Sequence, residues 1–242
     1  LEGALADLDR AIVLAPSNPE LWRVRADCRR ARNDFKGAAE DDTRAIALDP
    51  KDVKPRLARV TDRAASGDRD GALADLLVVR ELDGEGTHFE IGHSQIAIHD
   101  RDYEGAITHL TAAIALDARC SVAWCDRGWC RLKKGDLDGA ISDLDRAIAL
   151  DDQLAPAWEN RAQVRYRKND LDGAIADAEA ALRRDARSEA MAYRGLARLR
   201  RGESATGRAD IERALALDLQ DQSLAKELRL ALASGADSRA PR

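Results

Sequence analysis

The residues with most chemistry in them recur at a fixed distance. An arginine is followed sixteen residues later by an aspartate at five places in one repeating register, as Arg25/Asp41, Arg59/Asp75, Arg127/Asp143, Arg161/Asp177 and Arg194/Asp210. If the chain folds back between the members of each pair, the spacing predicts salt bridges inside antiparallel helical hairpins. Such pairs are worth about 0–1 kcal/mol when exposed. When they are buried, removing one partner costs about 3–5 kcal/mol because it strands a charge. One place in the series holds histidines instead, His93 and His109, again sixteen apart. With His88 and His99, all four histidines of the chain fall between residues 87 and 120. A metal site does not follow: His88 and His99 share a helix face but stand about 16 Å apart at 1.5 Å per residue. Two ligands without a cysteine or carboxylate beside them are too few. A neutral His93–His109 hydrogen bond is expected in place of the salt bridge. Two adjacent imidazolium charges would weaken that joint in acid.

Other chemistry is sparse. Cys28, Cys120, Cys125 and Cys130 form no CxxC pair, so the common zinc and thioredoxin spacings are missing, and free thiols in a reducing compartment are expected. The glycines mark turns, and no phosphate-binding glycine motif is present. No nucleophile has a base at a defined spacing. The expectation is a chain that is not an enzyme and carries no cofactor or metal. Net charge is −5, which argues against a nucleic-acid partner that needs a phosphate footprint. No stretch is apolar enough to insert into a membrane. A cytoplasmic location is expected.

The elements that position these residues announce themselves by repetition. Hydrophobic residues make up 45% of the chain but aromatics 4%, and a composition led by Ala, Leu, Arg, Asp and Glu favours helices. Ala4, Ala38, Ala72, Ala106, Ala140 and Ala174 stand 34 residues apart. Ala11, Ala45, Ala113, Ala147, Ala181 and Ala214 form a second series, with Val79 as its larger member. In the stretch from Ala123 to Asp151, Trp124, Gly128 and Arg131 share one helix face, and Ala140, Leu144 and Ala147 share another. Gly135 and Asp136 make the turn between them. Small residues at Gly128 and Ala140 let the two backbones approach closely.

This pattern resembles the tetratricopeptide repeat family. The 34-residue period carries the match, with tryptophan at the fourth position (Trp22, Trp124, Trp158), small residues at the eighth (Ala26, Gly128, Ala162, Gly195) and alanine at the twentieth and twenty-seventh. The resemblance implies an all-α, right-handed superhelical solenoid of antiparallel helix-turn-helix repeats. Residues 1–18 then form the second helix of a truncated repeat. Six repeats follow at 19–52, 53–86, 87–120, 121–154, 155–187 and 188–221. Residues 222–233 form a capping helix, with Leu224, Leu228 and Leu232 turned to the last repeat, and 234–242 a disordered tail. The opening at Leu1 within a repeat implies a longer parent protein.

The resemblance also implies a function. In this family the first helix of each repeat lines a groove through positions two, five, six, nine, twelve and thirteen. Carried onto this chain, those positions give Ile91, Gln95 and Ile98; then Cys125, Asp126, Trp129, Leu132 and Lys133; then Glu159, Asn160, Gln163, Tyr166 and Arg167. Trp129 stands out because the other tryptophans occupy the packed fourth position. An aromatic anchor with Lys133 and Arg167 beside it suits an extended peptide or a partner helix. The family's clamp for terminal carboxylates is not matched at Arg23/Asp27, Leu57/Thr61, Ile91/Gln95, Cys125/Trp129 or Glu159/Gln163. An asparagine ladder is absent too, since Asn160 stands alone. The expected function is a protein-interaction scaffold. The alternatives are a regulatory or substrate-recruiting segment of a larger enzyme, such as a signalling kinase or a transferase, and self-association through the uncapped N-terminal edge.

Overall fold

Alternating long helices and connections of two to five residues leave no room for a sheet. The computed structural model describes residues 2–184, 188–217, 219 and 221–237, and these form fourteen helices and no strand. The chain forms two compact bodies, Leu1–Ala118 and Arg119–Arg242.

In the first body, α1 (Glu2–Leu14) precedes three antiparallel hairpins: α2 (Pro19–Arg30) with α3 (Phe35–Leu48), α4 (Lys54–Ser66) with α5 (Arg69–Asp83), and α6 (Thr87–His99) with α7 (Tyr103–Leu116). The second body has the hairpins α8 (Ser121–Lys134) with α9 (Leu137–Leu150), α10 (Ala155–Arg167) with α11 (Leu171–Arg184), and α12 (Ser188–Arg200) with α13 (Ser204–Ala216). It ends with α14 (Gln222–Asp237). Within each body the first helices of successive hairpins also touch, α4 with α6, and α8 with α10 and α10 with α12.

The turn between the helices of each hairpin has one recipe. Its central residue takes a left-handed conformation, supplied by Gly67, Gly135 and Gly202 at φ 83°, 84° and 91°, and by Asn33 and Asn169 at 60° and 63°. The third hairpin places Arg101 there at φ 60°, a conformation that a residue with a Cβ adopts at a cost. The following aspartate caps the second helix: Asp34, Asp68, Asp102, Asp136 and Asp170 each accept the backbone N–H three residues on, from Gly37, Gly71, Gly105, Gly139 and Gly173.

Small residues then let the helices close. A Cβ added at Gly128 would stand 2.8 Å from the Leu144 Cγ and 3.3 Å from the Ala140 carbonyl oxygen. The core is accordingly rich in fully buried alanines, and Leu76, Leu110, Leu132, Leu144, Ile211 and Leu228 are the largest side chains fully buried in it. The helix at the C-terminal end turns Leu224 and Leu228 inward, half-buries Leu232 and exposes Lys226, Glu227 and Arg229. It runs to Asp237, so residues 234–237 are helical where the sequence predicts disorder. The remainder of that predicted tail, 238–242, lies outside the described residues. At the other end, Val13 and Leu14 of α1 are 79% and 85% exposed.

Candidate interaction site

Five of the six hairpins are locked by charge before they offer any surface. Arg127 Nε and Nη2 donate to the two carboxylate oxygens of Asp143 at 2.9 and 2.8 Å. Both groups are buried, the side chains being 9% and 2% exposed. The same two-pronged pair joins Arg25 to Asp41, Arg59 to Asp75, Arg161 to Asp177 and Arg194 to Asp210. A second arginine four residues on, unread in the sequence, grips the same aspartate. Arg29, Arg63, Arg131, Arg165 and Arg198 reach Asp41, Asp75, Asp143, Asp177 and Asp210 at 2.7–3.0 Å. Four of these also donate to the carbonyl of the capping-turn glycine, Gly37, Gly71, Gly139 or Gly173. Their 34-residue recurrence was the available signal. In three hairpins the first arginine also makes a tie to the helix before it: Arg25 to Asp9, Arg59 to the Thr43 hydroxyl and Arg161 to Asp145.

The fourth-position tryptophans serve this lock. The guanidinium groups of Arg25, Arg127 and Arg161 lie 4.9, 4.7 and 4.9 Å over the rings of Trp22, Trp124 and Trp158. The indole N–H groups of Trp22 and Trp158 donate to the carbonyls of Pro16 and Asp152, both at 2.9 Å. Arg56 holds the same register position and donates to the Pro50 carbonyl at 2.6 Å.

The histidine hairpin departs from the expectation. His93 and His109 are stacked, with centroids 4.9 Å apart and planes at 13°, rather than joined by a hydrogen bond. The His109 Nδ1 pairs with Glu90 at 2.8 Å, and the Phe89 ring meets His93 edge-on. Glu90 sits in the register position of the tryptophans, so its carboxylate is at hand to take the imidazole N–H. Burial holds the His93 pKa below its ordinary value, with the neighbouring His109 adding to the effect, Glu90 opposing it and Arg80 adding to it.

The surface read from family positions is only partly open. Cys125, Leu132 and Tyr166 are 3%, 0% and 5% exposed and are corrected from groove to core. Cys125 and Leu132 pack with Ala157 and Val164 of the following hairpin, and the Asn160 amide lies 3.8 Å from the Cys125 sulfur. Tyr166 packs beside Tyr193 and donates its hydroxyl proton to Glu227 at 3.4 Å. Ile91, Gln95 and Ile98 are half-buried on α6 of the first body, and Arg167 is exposed. All four cysteines are free thiols; Cys125 and Cys130 are buried, Cys28 and Cys120 partly so. Burial pushes the Cys130 thiol up to about 12, which leaves it unreactive as a nucleophile.

What remains open is a cavity of about 390 Å³ in the second body. It is lined by the first helices of successive hairpins: Trp129 and Lys133 from α8, Glu159, Asn160 and Gln163 from α10, and Glu189 and Tyr193 from α12. Asp221 and Leu224 close it at the start of α14. Of the groove residues in the sequence reading, Trp129, Lys133, Glu159, Asn160 and Gln163 line it. Glu189, Tyr193 and Asp221 were missed: Glu189 and Tyr193 hold groove positions two and six of the last repeat, to which the count was not carried, and Asp221 caps α14 outside those positions. The Lys133 ammonium stands 5.0 Å over the Trp129 ring, and the Gln163 amide donates to the Tyr193 hydroxyl. The size lies within the range of ligand pockets, and no nucleophile–base pair faces it.

Antiparallel hairpins with a common turn, a common lock and a 34-residue step define an all-α repeat array. The tetratricopeptide repeat model matches residues 1–53, 92–155 and 159–223, and the chain belongs to that family. No curated protein sequence matches it. Among solved structures, the APC/C hetero-tetramer Cut9–Hcn1 is similar at TM-score 0.71 and 15% identity, over 96% of this chain and 46% of that one. A monomeric IFIT1 mutant with Gppp-AAAA is similar at TM-score 0.72 and 12% identity, over 98% of this chain and 60% of that one. A tetratricopeptide repeat protein from Parabacteroides merdae is similar at TM-score 0.61 and 16% identity, over 94% and 91%. This chain thus spans less than half the length of the Cut9–Hcn1 chain. At such identities the likeness is one of fold. Proteins of the family are generally scaffolds for protein–protein interaction. Among the described residues no helix is long and apolar enough to cross a membrane.

Proposed function

We propose that the chain is a non-enzymatic interaction scaffold that seats a peptide or partner helix in the cavity of its second body. The observation that supports this reading is the half-buried Trp129 in the lining of a cavity formed by the first helices of three successive hairpins and the start of α14. Tryptophan and tyrosine supply large contact area with little side-chain entropy to lose, and such residues dominate the energetics of interfaces. The rigid hairpins around them hold the lining in place before binding, which lowers the cost of association.

Trp129→Ala tests the reading against a displayed peptide library and the wild-type chain. Binding is expected to fall at least about tenfold, a loss of about 1.4 kcal/mol or more, with the melting temperature nearly unchanged. A large drop in melting temperature with peptide binding intact would assign Trp129 to packing instead.

A further inference from the structure

The cavity's charge points to a narrower class of ligand. Three carboxylates line it, Glu159, Glu189 and Asp221, against the single ammonium of Lys133. Two of them are fixed in place. Asp221 accepts the Ser223 and Leu224 backbone N–H groups through Oδ1 at 2.9 and 3.0 Å as the cap of α14. Glu189 accepts the Ser188 hydroxyl proton at 2.9 Å. The field they make is felt by Tyr193: burial raises its phenol pKa, Arg167 opposes that, and Asp221, Glu227 and Glu159 add to it. Two aromatic rings, Trp129 and Tyr193, stand among these groups.

An aromatic face beside a carboxylate is the arrangement this chain fills with arginine elsewhere. Arg25, Arg127 and Arg161 each lie over an indole at 4.7–4.9 Å while gripping an aspartate with two N–H groups. Guanidinium suits this arrangement because it is planar, is weakly hydrated and presents its donors as a fork. In the cavity the same two chemistries face an opening about 390 Å³ in size, room enough for one long side chain. We propose that the cavity of the second body receives an arginine side chain of the bound partner. This rests on the interaction reading above and names its specificity. It also revises the basic character expected from Lys133 and Arg167: Lys133 is spent against Trp129, and Arg167 is not among the lining residues.

The test uses the full chain and three capped amino acids, Nα-acetyl-arginine amide, its neutral isostere Nα-acetyl-citrulline amide, and Nα-acetyl-glutamate amide. Binding is followed by the NMR signals of the Trp129 indole N–H and the Gln163 side-chain amide. The arginine compound is expected to shift both signals saturably, with citrulline at least about tenfold weaker and glutamate without effect. Glu189→Gln is expected to weaken arginine binding severalfold at unchanged melting temperature, and added salt to weaken it further. Equal binding of arginine and citrulline, or a preference for glutamate, overturns the proposal. A peptide library separates the two readings. Peptides that need Trp129 but show no enrichment in arginine leave the scaffold standing and reject the arginine site. A correctly folded chain that binds no peptide and none of the three compounds rejects both.

Discussion

At the scale of single residues, the most unusual group is Asp42. It is fully buried on α3, as Asp62 is on α4, and both share the guanidinium of Arg30, which reaches them at 2.7–3.0 Å. One cation cannot neutralise two buried carboxylates. Burial pushes the Asp42 carboxyl up to about 8, against the pull of Arg30 and with the charge of Asp62 adding to the rise. Burial raises Asp62 as well. Between the unfolded value of 3.8 and about 8, the folded chain therefore binds more protons than the unfolded one. Stability contributed here is present in acid and is lost as pH rises through that window, by up to about 1.4 kcal/mol per pH unit. Asp42→Asn keeps the shape and the acceptor for Arg30 but cannot ionise. Thermal melts are expected to show the variant more stable than the wild type at pH 7, by about 1–3 kcal/mol, with the advantage shrinking toward pH 4. A variant that is less stable at pH 7 with the same pH slope would show that Asp42 is ionised in the folded chain.

At the scale of elements, the hairpin of α6 and α7 keeps the Asp102 cap but lacks the arginine–aspartate lock of the others. His93 and His109 replace the first arginine and the aspartate, Ala97 replaces the second arginine, and Arg101 occupies the left-handed turn. The stacked rings are held by burial, which keeps the His93 pKa below 6.5. Here the sign is opposite to that of Asp42. The unfolded chain takes up the proton first as pH falls through 6.5, so the joint is firm at neutral pH and weakens below it. The double variant His93→Arg/His109→Asp is expected to remove the acid-dependent loss of protection in α6 and α7, measured by amide exchange between about pH 7 and pH 5. Persistence of the same acid weakening in the double variant would place its origin elsewhere, with His99 on the same helix the next group to examine. The sequence made the oddity of this hairpin visible, since both halves of a periodic pair changed together. It did not reveal the stack. Whether two imidazoles meet edge-on, face-on or by a hydrogen bond depends on Phe89, one turn before His93 on α6, and on Glu90, which reaches across the hairpin to His109.

At the scale of the whole molecule, a 34-residue step makes each lock a copy, and much of the fold was legible because copies can be aligned within one chain. Helix order, small-residue contacts and the first arginine of each pair all repeat. The open surface does not repeat, and there the reading by position failed. Cys125, Leu132 and Tyr166 have groove positions by count, but the following helices cover them. Glu189 enters the cavity from the second position of the last repeat, a groove position by the same count, whereas Asp221 enters from the cap of α14, where no count pointed.

Repetition also predicts how damage spreads. In an array each hairpin is held by its neighbours, so a lesion is felt most by the helices that share its contacts. Asp143 is the sharpest place to test this, because it is 1% exposed and accepts from both Arg127 and Arg131. Asp143→Ala strands two guanidinium groups, one of them buried, and is expected to cost about 3–5 kcal/mol. The second body holds two distinct clusters, one around Leu144 on α8 to α10 and one around Ile211 and Leu228 on α10 to α14. Amide exchange on the variant is expected to show the largest loss of protection in α8 and α9, a smaller loss in α10, and the least in α13 and α14. An equal loss in all of these helices would mean that the second body unfolds as one cooperative block, and that its hairpins are copies in sequence but not separable in energy.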